Sequence, residues 1–386
     1  MKIAIGLEYP LSMRGGVSVL VEELIQGLAP QFEILVVSPD TAESLARSTV
    51  APLVKEHIFW DPQKVSRTTS RALAERIAAQ GARLAHFHFG GNYGWGSRLL
   101  GQSPIPPLAR RGVAVVSTVH CAVGLLDGYC DPQKPFWFKL ALLPPAWVGK
   151  VNVLRHVSRE IAVSQFDEHL LRRWYPQMRG KFLHIYHSRL GPGAPPPEPA
   201  ARERFILNVG HIARRKGQLV LAGAFALIAA RHPDWKLYLA GHYGDPHQER
   251  LLQELAQRHG ITGQLILLGR RDDALDWMRR AAIFVQPSFF EGLPLALQEA
   301  MSSGCACIGT NISGNNEIIT HEENGLLTQP GDPADLARAL ERLMGDAALR
   351  ARFSQAGPAS IQHKGMTAER MVQRHVELYE SILSAR

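Results

Sequence analysis

The sequence predicts an α/β fold of two doubly wound parallel-sheet domains, and three observations carry this. Short apolar runs alternate with amphipathic stretches through both halves, the pattern of parallel strands covered by helices on both faces. The densest Pro/Gly run, Gly191-Pro192-Gly193-Ala194-Pro195-Pro196-Pro197-Glu198-Pro199, falls mid-chain and reads as a stiff, extended linker. A length of 386 residues suits two domains, or three, with sizeable cores. The strands expected in the first half are residues 2–6, 34–38, 84–88, 113–118 and 160–164. Those of the second half are 205–209, 236–240, 265–268, 283–286 and 307–310. A last helix is expected over residues 367–383, where Met371, Val372, Val376, Tyr379, Ile382 and Leu383 recur near helical spacing. Two such domains place a ligand between them, at the carboxyl ends of the strands.

Composition narrows the class. A hydrophobic content of 46% with 20% charged residues is that of an ordinary soluble protein. The opening Met1-Lys2-Ile3-Ala4-Ile5-Gly6 reads as a buried strand and not as a signal peptide, because Glu8 and Pro10 interrupt it early. No apolar segment approaches the ~20 residues that span a bilayer. Cys121, Cys130, Cys305 and Cys307 show no Cys-x-x-Cys or zinc spacing, so a reduced compartment, the cytoplasm, is expected. Residues 1–190 carry 22 Lys+Arg against 14 Asp+Glu, whereas residues 191–386 carry 21 of each. The positive excess of the first half suits an anionic surface, either a membrane leaflet or a phosphate-bearing partner, or simply a soluble basic domain. The basic residues are scattered and no recognition motif accompanies them, which disfavours nucleic acid. The stretch from Lys134 to Lys150 mixes Phe136, Trp137 and Phe138 with lysines; it reads either as an interfacial membrane segment or as a core helix broken by Pro144 and Pro145.

The most informative stretch is Pro287-Ser288-Phe289-Phe290-Glu291-Gly292-Leu293-Pro294-Leu295-Ala296-Leu297-Gln298-Glu299-Ala300. A short buried strand precedes it, and a helix over residues 295–303 follows, with Pro294 near its first turn and Gly304 past its end. Free N–H groups at Leu295 and Ala296 plus the helix dipole suit a diphosphate. Glu299 lies roughly 7–8 Å along the helix axis, and Glu291 stands before the turn. Carboxylates on either side of a diphosphate can accept hydrogen bonds from a ribose and from a second sugar. Upstream, the strand ending at Val209 runs into Gly210-His211-Ile212-Ala213-Arg214-Arg215-Lys216-Gly217, three cations bounded by glycines, which suits phosphate oxygens. In the first half, Arg14-Gly15-Gly16-Val17-Ser18 lets backbone approach a ligand closely, and His120 ends a strand at the sheet edge.

The Glu291…Glu299 stretch resembles the Glu-x7-Glu motif of the retaining family 4 glycosyltransferases, which have the two-domain GT-B fold. The resemblance extends from the first strand to the last helix and is clearest over residues 205–330. It implies two Rossmann-like doubly wound parallel-sheet domains facing a central cleft. Residues 1–188 would form the acceptor-binding domain, joined by the returning helix 367–386. Residues 189–203 would be the linker and 204–366 the nucleotide-sugar-binding domain. Glu291, His120 and Lys216 would be catalytic. Gly15, Gly16, Gly210, His211, Arg215, Lys216, Arg271, Glu291, Gly292, Leu293, Leu295, Ala296 and Glu299 would bind the donor. Lys216 matches the family's diphosphate lysine, but His211 stands where an arginine is usual; Arg214 or Arg215 would compensate, or a protonated His211 would donate to phosphate. After His120 many members have an aspartate, and this chain has Cys121. Gly269-Arg270-Arg271 falls where members contact the base, largely through backbone. Glu317 and the Asn324-Gly325-Leu326-Leu327 string resemble the family more as fold markers than as chemistry.

The activity so implied is retaining transfer of a hexose-type sugar from a nucleoside-diphosphate sugar to a glycan or lipid-linked acceptor, in bacterial polysaccharide or lipopolysaccharide assembly. No cofactor or metal is expected, since cations and helix N-termini stabilise the leaving diphosphate. Peripheral contact with an anionic membrane through the basic half is also expected. Two rivals stand beside it: a catalytically silent GT-B scaffold, which the His211 departure favours, and a nucleotide-sugar epimerase of the same fold. A phosphorylase is disfavoured by the short chain and the lack of a pyridoxal-binding lysine context.

Overall fold

A computed structural model describes residues 1–13, 15–122, 125, 136–189, 202–242 and 246–385. Arg14, Cys130, Lys134 and the Pro/Gly run of residues 191–199 lie outside the described residues. The chain divides into two compact units, Met1–Arg189 with Ala368–Arg386, and Leu190–Thr367.

In the first unit, strands β1 (Lys2–Leu7), β2 (Glu33–Ser38), β3 (Val54–Phe59), β4 (Leu84–Phe89), β5 (Ala114–Val119), β6 (Arg159–Ala162) and β7 (Phe182–His184) form one sheet. Their order is β3-β2-β1-β4-β5-β6-β7, and every pair is parallel. In the second unit, β8 (Glu203–Val209), β9 (Lys236–Ala240), β10 (Leu265–Gly269), β11 (Ala281–Gln286), β12 (Ala306–Thr310) and β13 (Leu326–Thr328) follow the order β10-β9-β8-β11-β12-β13, again all parallel. Both are Rossmann-like. The central strands are buried along their length because helices cover both faces, as the near-continuous apolar runs of β4, β5 and β11 require. In each sheet the winding reverses between the first and fourth strands of the unit, β1 beside β4 and β8 beside β11. Ligands collect at the carboxyl ends of such pairs.

Three strands have no counterpart in the sequence reading. β3, at the sheet edge, carries Lys55, Glu56 and His57 and is only half buried, so it lacks an apolar run. β7 and β13 span three residues each, too short for any periodicity to register.

The last helix, Ala368–Ser384, packs in the first unit. Gly27 lies against it so closely that an added Cβ would come within 2.3 Å of Val372. The segment around Pro144 departs from the reading of a core helix broken by its prolines. One continuous helix, Phe136–His156, contains both prolines. The carbonyls that the prolines leave without an intrahelical donor belong to Leu140 and Ala141, both exposed residues, and the helix continues through them unbroken. The front of this helix presents Phe136, Trp137 and Leu140 to solvent, while Val151, Val153 and Leu154 enter the core. Lys150 is no surface lysine. It is fully buried and pairs with the equally buried Glu160 at 2.8 Å.

Candidate active site

The second unit gathers its chemistry at the carboxyl ends of β8 and β11. After β8, the Gly210 N–H bonds the Ala240 carbonyl at 2.9 Å, and residues Arg214–Lys216 make one tight turn. Gly217 ends this turn with φ of 70°, and an added Cβ would lie 2.0 Å from the Pro287 carbonyl oxygen. Only glycine allows this approach, and it brings the loops after β8 and β11 into contact. The Phe289 N–H then donates to the Arg215 carbonyl at 2.8 Å.

This contact places Lys216 against Glu291. Lys216 Nζ donates to Glu291 Oε1 at 2.5 Å, and Arg215 stands 3.7 Å from Oε2. The same Oε1 accepts from Ser288 Oγ at 2.6 Å and from Gln286 Nε2 at 2.9 Å. Burial of Glu291 works to raise its pKa, but Lys216 and Arg215, with hydrogen bonds from Lys216 and Ser288, outweigh this and hold it below the usual glutamate value. A buried carboxylate is thereby kept ionised. Behind it, Ser313 Oγ donates to the Glu291 carbonyl at 3.0 Å, and Gly314, with φ of 80°, lies against the Gly292 carbonyl. Asn315 Nδ2 bonds the Thr310 carbonyl at 3.0 Å, and Thr310 Oγ1 bonds that of Ser288 at 2.5 Å.

Gly292 and Leu293 are buried in the turn. Leu295 and Ala296 open the helix Leu295–Ser302, whose N-terminus no side chain caps. Glu299 is buried one turn further on, 8% exposed. His211 is exposed beside His242, their rings 5.9 Å apart. Partial burial, then His242, Arg215 and Lys216, lower its pKa, so the expected protonated ring is disfavoured by the cations already there. Arg271 follows β10 and is held by Asp273 through two bonds of 2.7 and 2.6 Å, so its guanidinium is committed to the surface.

In the first unit, Gly15 and Gly16 begin the helix Gly16–Leu28, and an added Cβ would meet nothing within 3.7 Å of Gly15 or 4 Å of Gly16. Neither has a left-handed φ, so the fold of the unit itself does not demand glycine there. His120 joins a cluster that sequence reasoning missed. Its Nε2 lies 3.0 Å from His88 Nδ1, and its ring is 5.0 Å from that of His187. His375 from the last helix is 5.9 Å from His187 and 5.6 Å from His86. His86 bonds Tyr379 Oη at 2.6 Å and Thr118 Oγ1 at 2.7 Å. Burial, and then the His375 ring, push the His120 pKa down to about 3, so it acts as a neutral imidazole. Among the described residues, no group of three His, Cys, Asp or Glu side chains could hold a metal ion.

Glycosyl transferases group 1 matches this chain over residues 195–360, and Glycosyltransferase Family 4 matches residues 14–188. The chain belongs to the family 4 glycosyltransferases. The family 4 chain is 41% identical over 155 residues to an Escherichia coli UDP-Gal:alpha-D-GlcNAc-diphosphoundecaprenol alpha-1,3-galactosyltransferase, covering 38% of each protein. It is 28% identical over 186 residues to the lipopolysaccharide core biosynthesis mannosyltransferase LpsB of Rhizobium meliloti, 47% of this chain and 52% of that protein. The match thus spans about half or less of these curated relatives. Among solved structures, a glycosyltransferase from Rickettsia africae aligns over 99% of this chain and 98% of its own with a TM-score of 0.76 at 16% identity. The Anabaena protein HepE in complex with UDP aligns over 99% and 100% with a TM-score of 0.74 at 17% identity. These neighbours establish the GT-B fold.

For a family 4 chain, the residues sequence reasoning missed are instructive. Ser288 and Gln286 were in plain view beside Glu291, and the sequence signal was their spacing of three and five residues. Asn315 and Thr310 came from a separate segment and left no such signal. Glu8, at the end of β1, is the other omission. Its Oε1 accepts from the Trp95 N–H at 2.6 Å, and Trp95 has the left-handed φ of 51°. Burial raises the Glu8 pKa to about 7, against the lowering effects of the Trp95 N–H and Arg98.

Proposed function

We propose that this chain transfers a hexose-type sugar, with retention, from a nucleoside-diphosphate sugar to a glycan or lipid-linked acceptor in polysaccharide or lipopolysaccharide assembly. The observation that carries the reading is the buried, ionised Glu291 locked to Lys216 where β8 and β11 end. Lys216 and Arg215 would turn to the donor diphosphate, together with the uncapped N–H groups of Leu295 and Ala296 and the backbone of Gly210 and His211. Arg215 supplies the guanidinium that His211 does not. Glu291, released in part from Lys216, would accept hydrogen bonds from hydroxyls of the transferred sugar, and Glu299 would hold the ribose. The open backbone at Gly15–Gly16 and the neutral His120 would face donor and acceptor. Relatives named for transfer from UDP-galactose and for lipopolysaccharide core assembly support the substrate class.

In the step itself, the bond between the sugar C1 and the diphosphate oxygen breaks. The acceptor oxygen bonds C1 on the same face, and its proton passes to the leaving diphosphate. The cations and helix N–H groups stabilise that charge, so the proposed chemistry needs no metal. No described helix is long and apolar enough to cross a membrane, and the exposed Phe136, Trp137 and Leu140 support peripheral contact with the cytoplasmic leaflet.

Melting against UDP, GDP, ADP and their sugar conjugates tests the donor site. Saturation at 100 times the dissociation constant adds about 2.7 kcal/mol. One nucleotide family should raise the melting temperature, and Glu291→Gln should then lower turnover on the order of 100-fold with little change in nucleotide affinity. No shift with any nucleotide would favour a silent scaffold.

A further inference from the structure

Several exposed arginines of this chain pair with carboxylates: Arg111 with Glu75, Arg231 with Glu341, Arg280 with Glu203, and Arg342 with Glu322. Among the arginines of the first unit without a carboxylate partner, three line one site. Arg67 and Arg71, one turn apart on the helix Arg67–Ala79, and Arg110, after the helix Ile105–Ala109, line one cavity of 160 Å³. Gly101, Ser103, Pro106, Pro107 and Asn152 complete its wall. Among the described residues, Arg71 and Arg110 have no carboxylate or hydrogen-bond partner, and Arg67 has only the Leu100 carbonyl at 3.5 Å.

Three guanidinium groups line one small cavity, and the one acidic residue of the helix Arg67–Ala79, Glu75, is paired with Arg111 instead. The first turn of the helix Arg67–Ala79 holds no acidic residue, so its cations also oppose the helix dipole. The Ser66 cap occupies the Thr69 N–H. Pro106 and Pro107 contribute no N–H, and the Asn152 amide, free among the described residues, adds a neutral donor. A fork of guanidinium donors around a cavity this size matches a tetrahedral, multiply charged oxyanion better than a single carboxylate. Leu99 and Leu100, each about half exposed, immediately precede Gly101 of the wall, an apolar pair that would suit a phosphate carrying an apolar chain.

We propose that Arg67, Arg71 and Arg110, with the Asn152 amide, form a phosphate-binding site on the first unit, separate from the donor site of the second. The phosphate is that of a lipid headgroup or of a free phosphate compound, and the chemistry is common to both.

The test compares the full chain with Arg71→Gln/Arg110→Gln, Asn152→Ala, and a control, Arg83→Gln/Arg173→Gln, which removes the same charge from the same unit. Binding of inorganic phosphate is read by calorimetry, and cosedimentation is read with phosphatidylglycerol and with phosphatidylcholine vesicles. Any phosphate taken by the donor site is common to all four proteins and drops out of the comparison. Phosphate binding at least tenfold weaker in the double arginine variant than in the control, and weakened in Asn152→Ala at unchanged net charge, identifies a site for free phosphate compounds. Cosedimentation with phosphatidylglycerol alone, lost in the double variant and kept in the control, identifies a lipid headgroup. If the double variant and the control behave alike in both assays, the proposal is overturned.

Discussion

Glu291 is the residue whose surroundings say most. Its Oε1 takes three donors, from Lys216, Ser288 and Gln286, which leaves Oε2 as the freer acceptor beside Arg215. Removing a donor should cost ionisation before it costs structure. Gln286→Leu should therefore move the acid limb of the pH–rate profile upward, while the affinity for nucleoside diphosphate stays unchanged. An unmoved limb would mean that Gln286 does not hold the carboxylate. Lys216→Met goes further, because it leaves a buried carboxylate with one distant cation; the expected loss is about 1–3 kcal/mol near neutral pH. The sign follows from the lowered pKa of Glu291: the pair stabilises above the unfolded value and fades as pH falls through the folded one. The melting deficit of Lys216→Met should accordingly shrink in acid, and a deficit independent of pH would point to lost packing instead.

Loops carry this site, and their glycines divide into two kinds. Gly217 is demanded by the fold, with its left-handed φ and the Pro287 carbonyl 2.0 Å from where a Cβ would stand. Gly210 and Gly16 have no atom within 4 Å of that position. Gly217→Ala should thus destabilise the second unit by about 1–3 kcal/mol and weaken nucleotide binding with it. Gly210→Ala should leave the melting temperature unchanged and weaken nucleotide binding alone. If Gly210→Ala binds normally, the open backbone there has no ligand. The same contrast shows what the sequence disclosed. Central strands were legible because burial on both faces leaves continuous apolar runs, as in β5 and β11. The turn into the helix Leu295–Ser302 was legible because Gly292, Pro294 and Glu299 mark it locally. β3 was hidden because an edge strand keeps its charges, and the Lys216–Glu291 pair was hidden because 75 residues separate its partners. Local chemistry is written along the chain; the contact that Gly217 permits is not.

At the scale of the molecule, the chain returns to its first unit through the helix Ala368–Ser384, and the seam is made of histidines. His86, His88, His120, His187 and His375 all have lowered pKa values, mainly through burial, with His375 down to about 4. Unfolded, each would take a proton near pH 6.5. The unfolded state therefore binds more protons once pH drops below that value, and stability that is complete above it is lost towards pH 4. Glu8 acts in the opposite sense. Its pKa, raised to about 7, gives stability that is present below its unfolded value and lost as pH rises through 7. Between those limits the two effects oppose, and five histidines outweigh one glutamate. The net expectation is a first unit that loosens in acid, beginning at the seam. Amide exchange, corrected for its intrinsic pH dependence, should show the helix Ala368–Ser384 losing protection first as pH falls below 6.5. His375→Leu should flatten that loss, because it removes one titrating ring while filling the buried space. Glu8→Gln should steepen it by removing the opposing slope. A last helix whose protection holds steady down to about pH 4 would mean that the histidines do not control its docking.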